Sequence, residues 1–481
     1  AIAEGGTEAY VAYAVLVAAM VGVMQLAMGV ARLGFLVNFL SHPVVSGFTS
    51  AAALIIGLSQ LQHLLGVKLA RSHHIHTILI EAGRRIGEVN LLTLAIGLGS
   101  ISLLLALQKL SPKFPRALAV VVVGTLAVVG LGLHERGVAI VGEVPAGLPS
   151  PTLPPLDVAA IASLWPTALA ISLVGFMESI SVAKGFARRN RYEVDANKEL
   201  IALGAANIVA GLFKGYPVTG GFSRTAVNAQ AGAKSGVAGI VTAVVIGLTL
   251  LFLTSLFFYL PKAVLAAIIM VAVFGLIDVA EVKHLWKVNR ADFALLLLTF
   301  VATLGLGIEE GILVGVGASL LWFVVRTTRP HTAVLGRLPG TEVYRNLQRY
   351  PEAQPVPGIL ALRIDAQFYF GNVTFLKQTL DSLLRERAEQ GEPVFAVVLD
   401  AAGVNHLDSS ADAALHEILA DFAERGITLY VAGPKGPVRD AMQRSGLWER
   451  LEGKRGETVH EVVGLAMKAR AAQTAKVAEA A

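Results

Sequence analysis

Apolar residues run through the first two thirds of the chain in long blocks, separated by short polar and charged segments. The blocks fall at 9–31, 44–66, 88–109, 116–133, 157–186, 197–213, 237–260, 262–280, 291–307 and 309–327, with a shorter one at 223–232. A helix needs about 20 apolar residues to cross a hydrocarbon core about 30 Å thick. One or two such blocks could be buried core helices. Eleven in series predict a polytopic α-helical membrane domain over 1–330. Beyond His331 the pattern changes. Residues 358–364 alternate like a strand, and 394–399 and 427–432 read as buried strands. Amphipathic helical stretches lie near 371–389, 409–425, 436–446 and 458–470. That order predicts a small α/β domain over 356–470, after a linker at 331–355 and before a disordered tail at 471–481.

Composition sharpens this picture. Hydrophobic residues make up 54% of the chain, which excludes an ordinary soluble protein and puts the function at the bilayer. The net charge of +5 sits largely in loops between blocks, so it is a topology signal and not a nucleic-acid footprint. Lys184, Arg188, Arg189, Arg191 and Lys198 place one loop in the cytoplasm. Lys109, Lys113 and Arg116, then Lys283, Lys287 and Arg290, then Arg326 and Arg329, fall on the same side, and so does the C-terminal domain. Lys68, Arg71, Arg84 and Arg85 are the one loop that disagrees. Ala1 then lies outside with no signal peptide or initiator Met, which predicts an odd number of helices upstream of it. The alanine- and glycine-rich, cysteine-free makeup points to a bacterial inner membrane.

Several enzyme classes drop out. With no cysteine there are no disulfides and no thiolate metal sites. Gly232-Ala-Lys-Ser235 is not a P-loop, because its Gly and Lys are not adjacent. His73, His74 and His76 are a solvated loop cluster or, as the sharper alternative, metal ligands. Asp408 and the scattered acidic pairs of the C-terminal domain form no hydrolase constellation. No cofactor and no enzymatic activity are expected. Pro43, Pro115 and Pro261 mark helix starts, where a missing N–H is harmless.

The short block carries the candidate chemistry. Lys214-Gly-Tyr-Pro-Val-Thr-Gly-Gly221 holds three glycines and a proline at membrane depth, followed by Phe222-Ser-Arg-Thr-Ala-Val-Asn228. Non-helical backbone survives there only when buried in protein or lining a wet cavity. A half-helix starting at this point aims its N-terminal N–H groups into the membrane interior, an anion-binding arrangement. Ser223 and Thr225 add hydroxyl donors and Arg224 a full charge. An interfacial turn with a snorkelling arginine is the other reading of the same residues. Glu178, in the middle of the 157–186 block, is a carboxylate in hydrocarbon and functional by default. It could exchange a proton, bind a cation or hold Arg224; as a protonated acid it could also simply tie helices together.

Three stretches resemble the sulfate permease (SulP) family of anion transporters. They are Leu40-Ser-His-Pro-Val-Val-Ser-Gly-Phe-Thr-Ser50 with Ser59-Gln60, Val141-Gly-Glu-Val-Pro-Ala-Gly-Leu-Pro149, and the Glu178 helix followed by Gly220-Gly-Phe-Ser-Arg-Thr225. The C-terminal domain resembles the STAS domain such transporters carry. The resemblance implies a fold of two inverted seven-helix repeats, divided into a core and a gate, of which eleven spans are present here. On that plan the chain begins after the third helix, and so holds one of the two broken helices that face each other across the anion. The anion would sit near Gly221, Phe222, Ser223, Arg224 and Thr225, with Glu178 beside it as the coupling residue. Leu40-Ser-His-Pro43 and Tyr259-Leu-Pro261 echo each other as openings of equivalent helices. Such transporters usually form homodimers. Leu407-Asp-Ser-Ser410 resembles the phosphorylated site of anti-sigma antagonists, with Ser409 at the matching position. Ala411 stands where that family has Gly, so a plain N-cap at Ser409 is the simpler reading.

The expected function is secondary active transport of sulfate, bicarbonate or a dicarboxylate, by proton symport or exchange. The alternative is a membrane-anchored regulator whose STAS domain captures a cytosolic partner. A nucleobase permease shares the helix plan but would need no Arg224.

Overall fold

A computed structural model of the chain describes residues 8–35, 41–69, 75–110, 114–154, 157–221, 224–225, 228, 232–275 and 277–480. The chain divides into two compact units, Ala1–Leu320 and Leu321–Ala481.

The regular elements described in the first unit are helices. Its helices are α1 (Glu8–Val30), α2 (His42–Ser59), α3 (Leu61–Leu65), α4 (Ile75–Arg84), α5 (Leu91–Leu110), α6 (Arg116–Gly130), α7 (Val158–Asn190) and α8 (Ala196–Leu212). There follow α9 (Val237–Phe252), α10 (Lys262–Phe274), α11 (Val279–Val288), α12 (Arg290–Leu306) and α13 (Ile308–Thr328). Glu8–Val30, His42–Leu65, Leu91–Leu110, Val158–Ile180, Lys262–Val288 and Glu310–Thr328 are long and apolar enough to cross a membrane, and α6 and α9 are shorter apolar helices. Local signals set the starts. Asp157, Asp195 and Asn289 cap α7, α8 and α12 by accepting from backbone N–H groups two or three residues on. Pro43 lies in the first turn of α2, and Pro115 and Pro261 occupy the N-caps of α6 and α10.

Ten of the expected blocks form helices where the pattern put them. The eleventh, 223–232, lies largely outside the described residues. Two helices were not expected: α4 and α11 are ten residues each, with charged residues along them, so neither registers as an apolar block.

The helices fall into two packed groups. In one, α1 runs along α8 and also packs on α7. In the other, α2 packs on α12 and α10, while α10 touches α3, α5 and α6, and α11 packs on α12. Small residues set these approaches. A Cβ on Gly204 would lie 2.5 Å from the Leu26 amide nitrogen, and one on Gly22 would lie 2.6 Å from that of Ile208. Gly47 sits as closely on the Leu296 carbonyl, and Gly311 and Gly315 of α13 press on Thr303 and Thr299 of α12. Close backbone approach replaces the hydrophobic driving force that lipid cannot supply.

The second unit is a six-stranded mixed sheet in the order β2-β1-β3-β4-β5-β6. Its strands are β1 (Thr332–Arg337), β2 (Tyr344–Asn346), β3 (Ile359–Ile364), β4 (Ala396–Asp400), β5 (Thr428–Ala432) and β6 (Arg455–Gly456). The pairs β1–β2 and β1–β3 are antiparallel, and β3 to β6 are parallel. The helices are α14 (Val373–Glu389), α15 (Ser409–Glu424), α16 (Gly436–Ser445), α17 (Leu447–Arg450) and α18 (Val459–Ala480). Strand alternation feeds two cores. Leu360, Leu362, Val397 and Leu399 meet α14 to α17 on one face, and Ile359, Ala361, Val398 and Tyr430 meet Val462 and Ala466 of α18 on the other.

Two sequence expectations need correction here. The segment 331–355, expected as a linker, holds β1 and β2, with Thr332 paired to Ile364 and Arg337 to Tyr344. These strands are short and rich in Arg and Gly, so their alternation is weak until β3 supplies a partner. The tail 471–481, expected as disordered, continues α18 to Ala480. Its alanines, with Gln473, Lys476 and Glu479, are good helix formers.

Candidate functional site

The chain leaves the helical path after α8. Lys214 takes φ +58, and 215–221 carry no regular secondary structure. The polar backbone of this stretch is met by side chains from neighbouring helices. The Asn207 side-chain amide pairs with both backbone groups of Val218, accepting its N–H at 2.7 Å and donating to its carbonyl at 2.9 Å. Asn207 also donates to Gln25 at 3.0 Å, and Gln25 donates to the Ser172 carbonyl at 3.2 Å. Asn207 and Gln25 are 0% and 1% exposed, so the two amides are internal, while Val218 is 45% exposed. The Thr219 hydroxyl donates to the Gly175 carbonyl of α7 at 2.6 Å, and Gly220 lies against Ser179 with no room for a Cβ. The non-helical segment is thereby stitched to α7 and α8.

The Thr225 N–H and hydroxyl both donate to the Gly221 carbonyl, at 3.1 and 2.9 Å, and Arg224, Thr225 and Asn228 are helical. The Arg224 guanidinium folds over Gly221, where a Cβ would lie 3.5 Å from Nε. Phe222 and Ser223 lie outside the described residues.

Glu178 stands one turn beyond Gly175 on α7 and next to Ser179, against which Gly220 of the non-helical segment packs. Glu178 lines a cavity of about 570 Å³ with Phe48 of α2, Gly175 of α7, and Pro217 and Thr219 of the non-helical segment. The remaining wall is the break between α12 and α13, where Gly307 takes φ +125 and the Glu310 carboxylate folds back over it. Residues from both helix groups therefore meet at this cavity.

Sequence reasoning singled out Glu178, Gly221, Arg224 and Thr225, and these cluster around one end of the non-helical segment. It missed Gln25, Asn207 and Glu310. An uncharged amide inside an apolar block does not stand out, although a pair of them in separate blocks is the signal. Glu310 falls at the start of the 309–327 block, where a charge marks only the end of an apolar run.

Elsewhere, His73 and His74 lie outside the described residues, and no acid–histidine group that could hold a metal occurs among those described. The cap of α15 is Asp408, not Ser409: its carboxylate accepts from the N–H of Ala411 at 2.8 Å and of Phe370 at 2.9 Å. Aspartate outcompetes the following serine because its charge also meets the helix dipole. Ser409 is the exposed first residue of that helix.

Family comparisons cover nearly the whole chain. Residues 2–299 match the sulfate permease family and 350–462 match the STAS domain. Sulfate transporter 4.1, chloroplastic, of Arabidopsis thaliana is 42% identical over 470 residues, covering 94% of this chain and 68% of that protein. High affinity sulfate transporter 2 of Stylosanthes hamata is 35% identical over 447 residues, covering 89% and 68%. Among solved structures, the murine Solute Carrier 26 family member A9 anion transporter in the inward-facing state superposes with a TM-score of 0.87 at 25% identity, over 97% of this chain and 77% of that one. The transmembrane domain of a cyanobacterium bicarbonate transporter gives 0.55, over 65% and 77%. The chain therefore belongs to the sulfate permease family, as a polytopic helical membrane transporter with a C-terminal STAS domain.

Proposed function

We propose that this protein is a secondary active transporter of anions of the sulfate class, coupled to protons by symport or exchange. The observation that carries the reading is the cavity beside the non-helical segment, with Glu178 in its wall and Arg224 folded over Gly221 at the end of that segment. A tetrahedral anion at the Gly221 end of that segment, beyond the residues that line the cavity, would meet the Arg224 guanidinium. Glu178 would carry the coupled proton, since a carboxylate in hydrocarbon functions by default in such a role. Movement of the α1–α7–α8 group against the group built on α2, α10 and α12 would open the site to each side in turn. The names of the plant relatives favour sulfate over bicarbonate or a dicarboxylate. That α2 and α10 each open on a proline is the pattern expected of equivalent helices in inverted repeats. Loop charge favours a cytoplasmic STAS domain. The composition favours a bacterial inner membrane, and the family habit favours a homodimer.

The test is uptake of labelled sulfate, bicarbonate and fumarate into proteoliposomes holding the full-length protein, with and without an inward proton gradient. A charge-assisted hydrogen bond contributes about 1.5–3 kcal/mol, so Arg224→Ala should lower sulfate uptake roughly tenfold or more. Glu178→Gln should remove the response to the proton gradient. Folded protein that takes up no anion sinks the proposal and favours a membrane-anchored regulator working through the STAS domain.

A further inference from the structure

The second unit has a cavity of its own, of about 320 Å³, at the edge of the sheet where β2 and β1 meet the end of β3. Arg345 and Arg349 line it from β2 and the turn that follows, and Arg363 lines it from β3. Its one acid is Asp365, and both oxygens of that carboxylate are already engaged. Arg363 holds it in two contacts, Nε to Oδ1 at 2.7 Å and Nη2 to Oδ2 at 3.1 Å, and His331 Nδ1 lies 2.8 Å from Oδ2. Burial alone would raise the Asp365 carboxyl, but these hydrogen bonds hold it below the usual carboxylate range. Asp365 is therefore a fixed brace for Arg363 and His331.

That leaves Arg345 and Arg349 without a carboxylate among the described residues. Arg345 lies over the Tyr350 ring, 5.9 Å from its centroid, which orients the guanidinium without neutralising it. Asn346, only 6% exposed, gives its side-chain carbonyl to the Gln348 N–H, and its NH2 has no protein partner among those residues. Asp400, paired in register with Arg363 on β4, accepts from the Ala402 N–H at 3.1 Å and does not line the cavity. The cavity wall thus carries three guanidiniums and one carboxylate, plus an amide NH2 with no protein partner among the described residues. Planar guanidiniums match tetrahedral oxyanions through paired N–H donors, in a way a single ammonium cannot.

We propose that this cavity binds a doubly charged tetrahedral oxyanion, with Arg345 and Arg349 as its main ligands, Asn346 as a third donor, and Arg363 held in place by Asp365. Two sources share that chemistry. One is the free ion, sulfate or phosphate. The other is the phosphomonoester headgroup of an anionic lipid, because His331 follows the last residue of α13 by three positions, roughly 10 Å of extended chain. The volume exceeds what one such ion fills, so waters or the rest of a headgroup can enter with it.

Hydrogen–deuterium exchange on the full chain in nanodiscs tests this locally, without interference from any anion held in the membrane unit. One arm adds sulfate or phosphate to phosphatidylcholine nanodiscs, against chloride at matched ionic strength. The other uses nanodiscs containing phosphatidic acid with no added oxyanion. With ligand at about ten times its Kd, exchange across 344–350 should slow roughly tenfold in at least one arm. Slowing in the first arm alone assigns a free ion, and slowing in the second alone assigns a headgroup. The double variant Arg345→Gln, Arg349→Gln should lose the effect while exchanging normally in β4 and β5, since both side chains are exposed and outside the core. No slowing in either arm, or slowing that survives in the double variant, overturns the proposal.

Discussion

Asn207 shows how much one uncharged side chain does in this fold. Its amide takes the place a neighbouring strand would take, meeting the N–H and the carbonyl of Val218 where no helix can. Asn207→Ala leaves both groups, and the Gln25 side chain, without that partner inside the protein. Gln25 is buried, and an unsatisfied buried group costs about 1–3 kcal/mol, so the melting temperature of the purified protein should fall by several degrees. Anion uptake should fall with it, because Val218 and Thr219 wall the cavity. A variant that melts and transports like wild type would show that the network does not hold the non-helical segment. Glu178 and Arg224 were legible in the sequence because a charge in an apolar run stands out. Asn207 and Gln25 were not, because their meaning comes from each other, 182 positions apart.

At the scale of elements, glycines decide how closely α1 and α8 approach. A Cβ on Gly204 would meet only backbone, the Leu26 nitrogen at 2.5 Å and the Gly22 carbonyl at 2.8 Å, and backbone cannot swing aside. Gly204→Ala should destabilise the unit by about 1–3 kcal/mol, the usual cost of overpacking. Gly239→Ala in α9, where nothing lies within 4 Å, should be neutral or slightly stabilising. Size-exclusion profiles after graded heating compare the two, and equal behaviour would mean that α1 and α8 are looser than described. The long helices could be read from the pattern because membrane length imposes a period-free apolar run. The short α4 and α11, and strands β1 and β2, could not, because each is defined by the neighbour it packs on or pairs with.

At the scale of the whole membrane unit, the two helix groups meet around the cavity, which Val174 of α7 and Ile308 of α13 both line. The absence of native cysteine makes tethering clean. A thiol cross-linker joining Val174→Cys to Ile308→Cys should reduce uptake to background, with recovery on cleaving the tether. A disulfide between Ala139→Cys and Lys262→Cys, whose backbones already bond at 2.9 Å within one group, should leave uptake intact. Full transport through the first tether would exclude movement of one group against the other.

The amino-acid sequence alone determined that this is a multi-pass membrane protein with an α/β domain behind it. Solvent imposes that pattern locally, as apolar runs for lipid and alternation for a half-buried sheet. The sequence also marked the broken segment 214–221, since Gly and Pro disrupt a helix wherever they fall. Only the tertiary structure decided that Asn207 and Gln25 hold this segment. It also brought Glu310 to the cavity that Glu178 lines, made Asp408 the cap beside Ser409, and drew β1 and β2 into the sheet. The same holds for Arg345, Arg349 and Arg363, which look like ordinary surface charge until β2 and β3 bring them to one cavity. Each of these depends on contacts between residues distant along the chain, and local pattern holds no record of them.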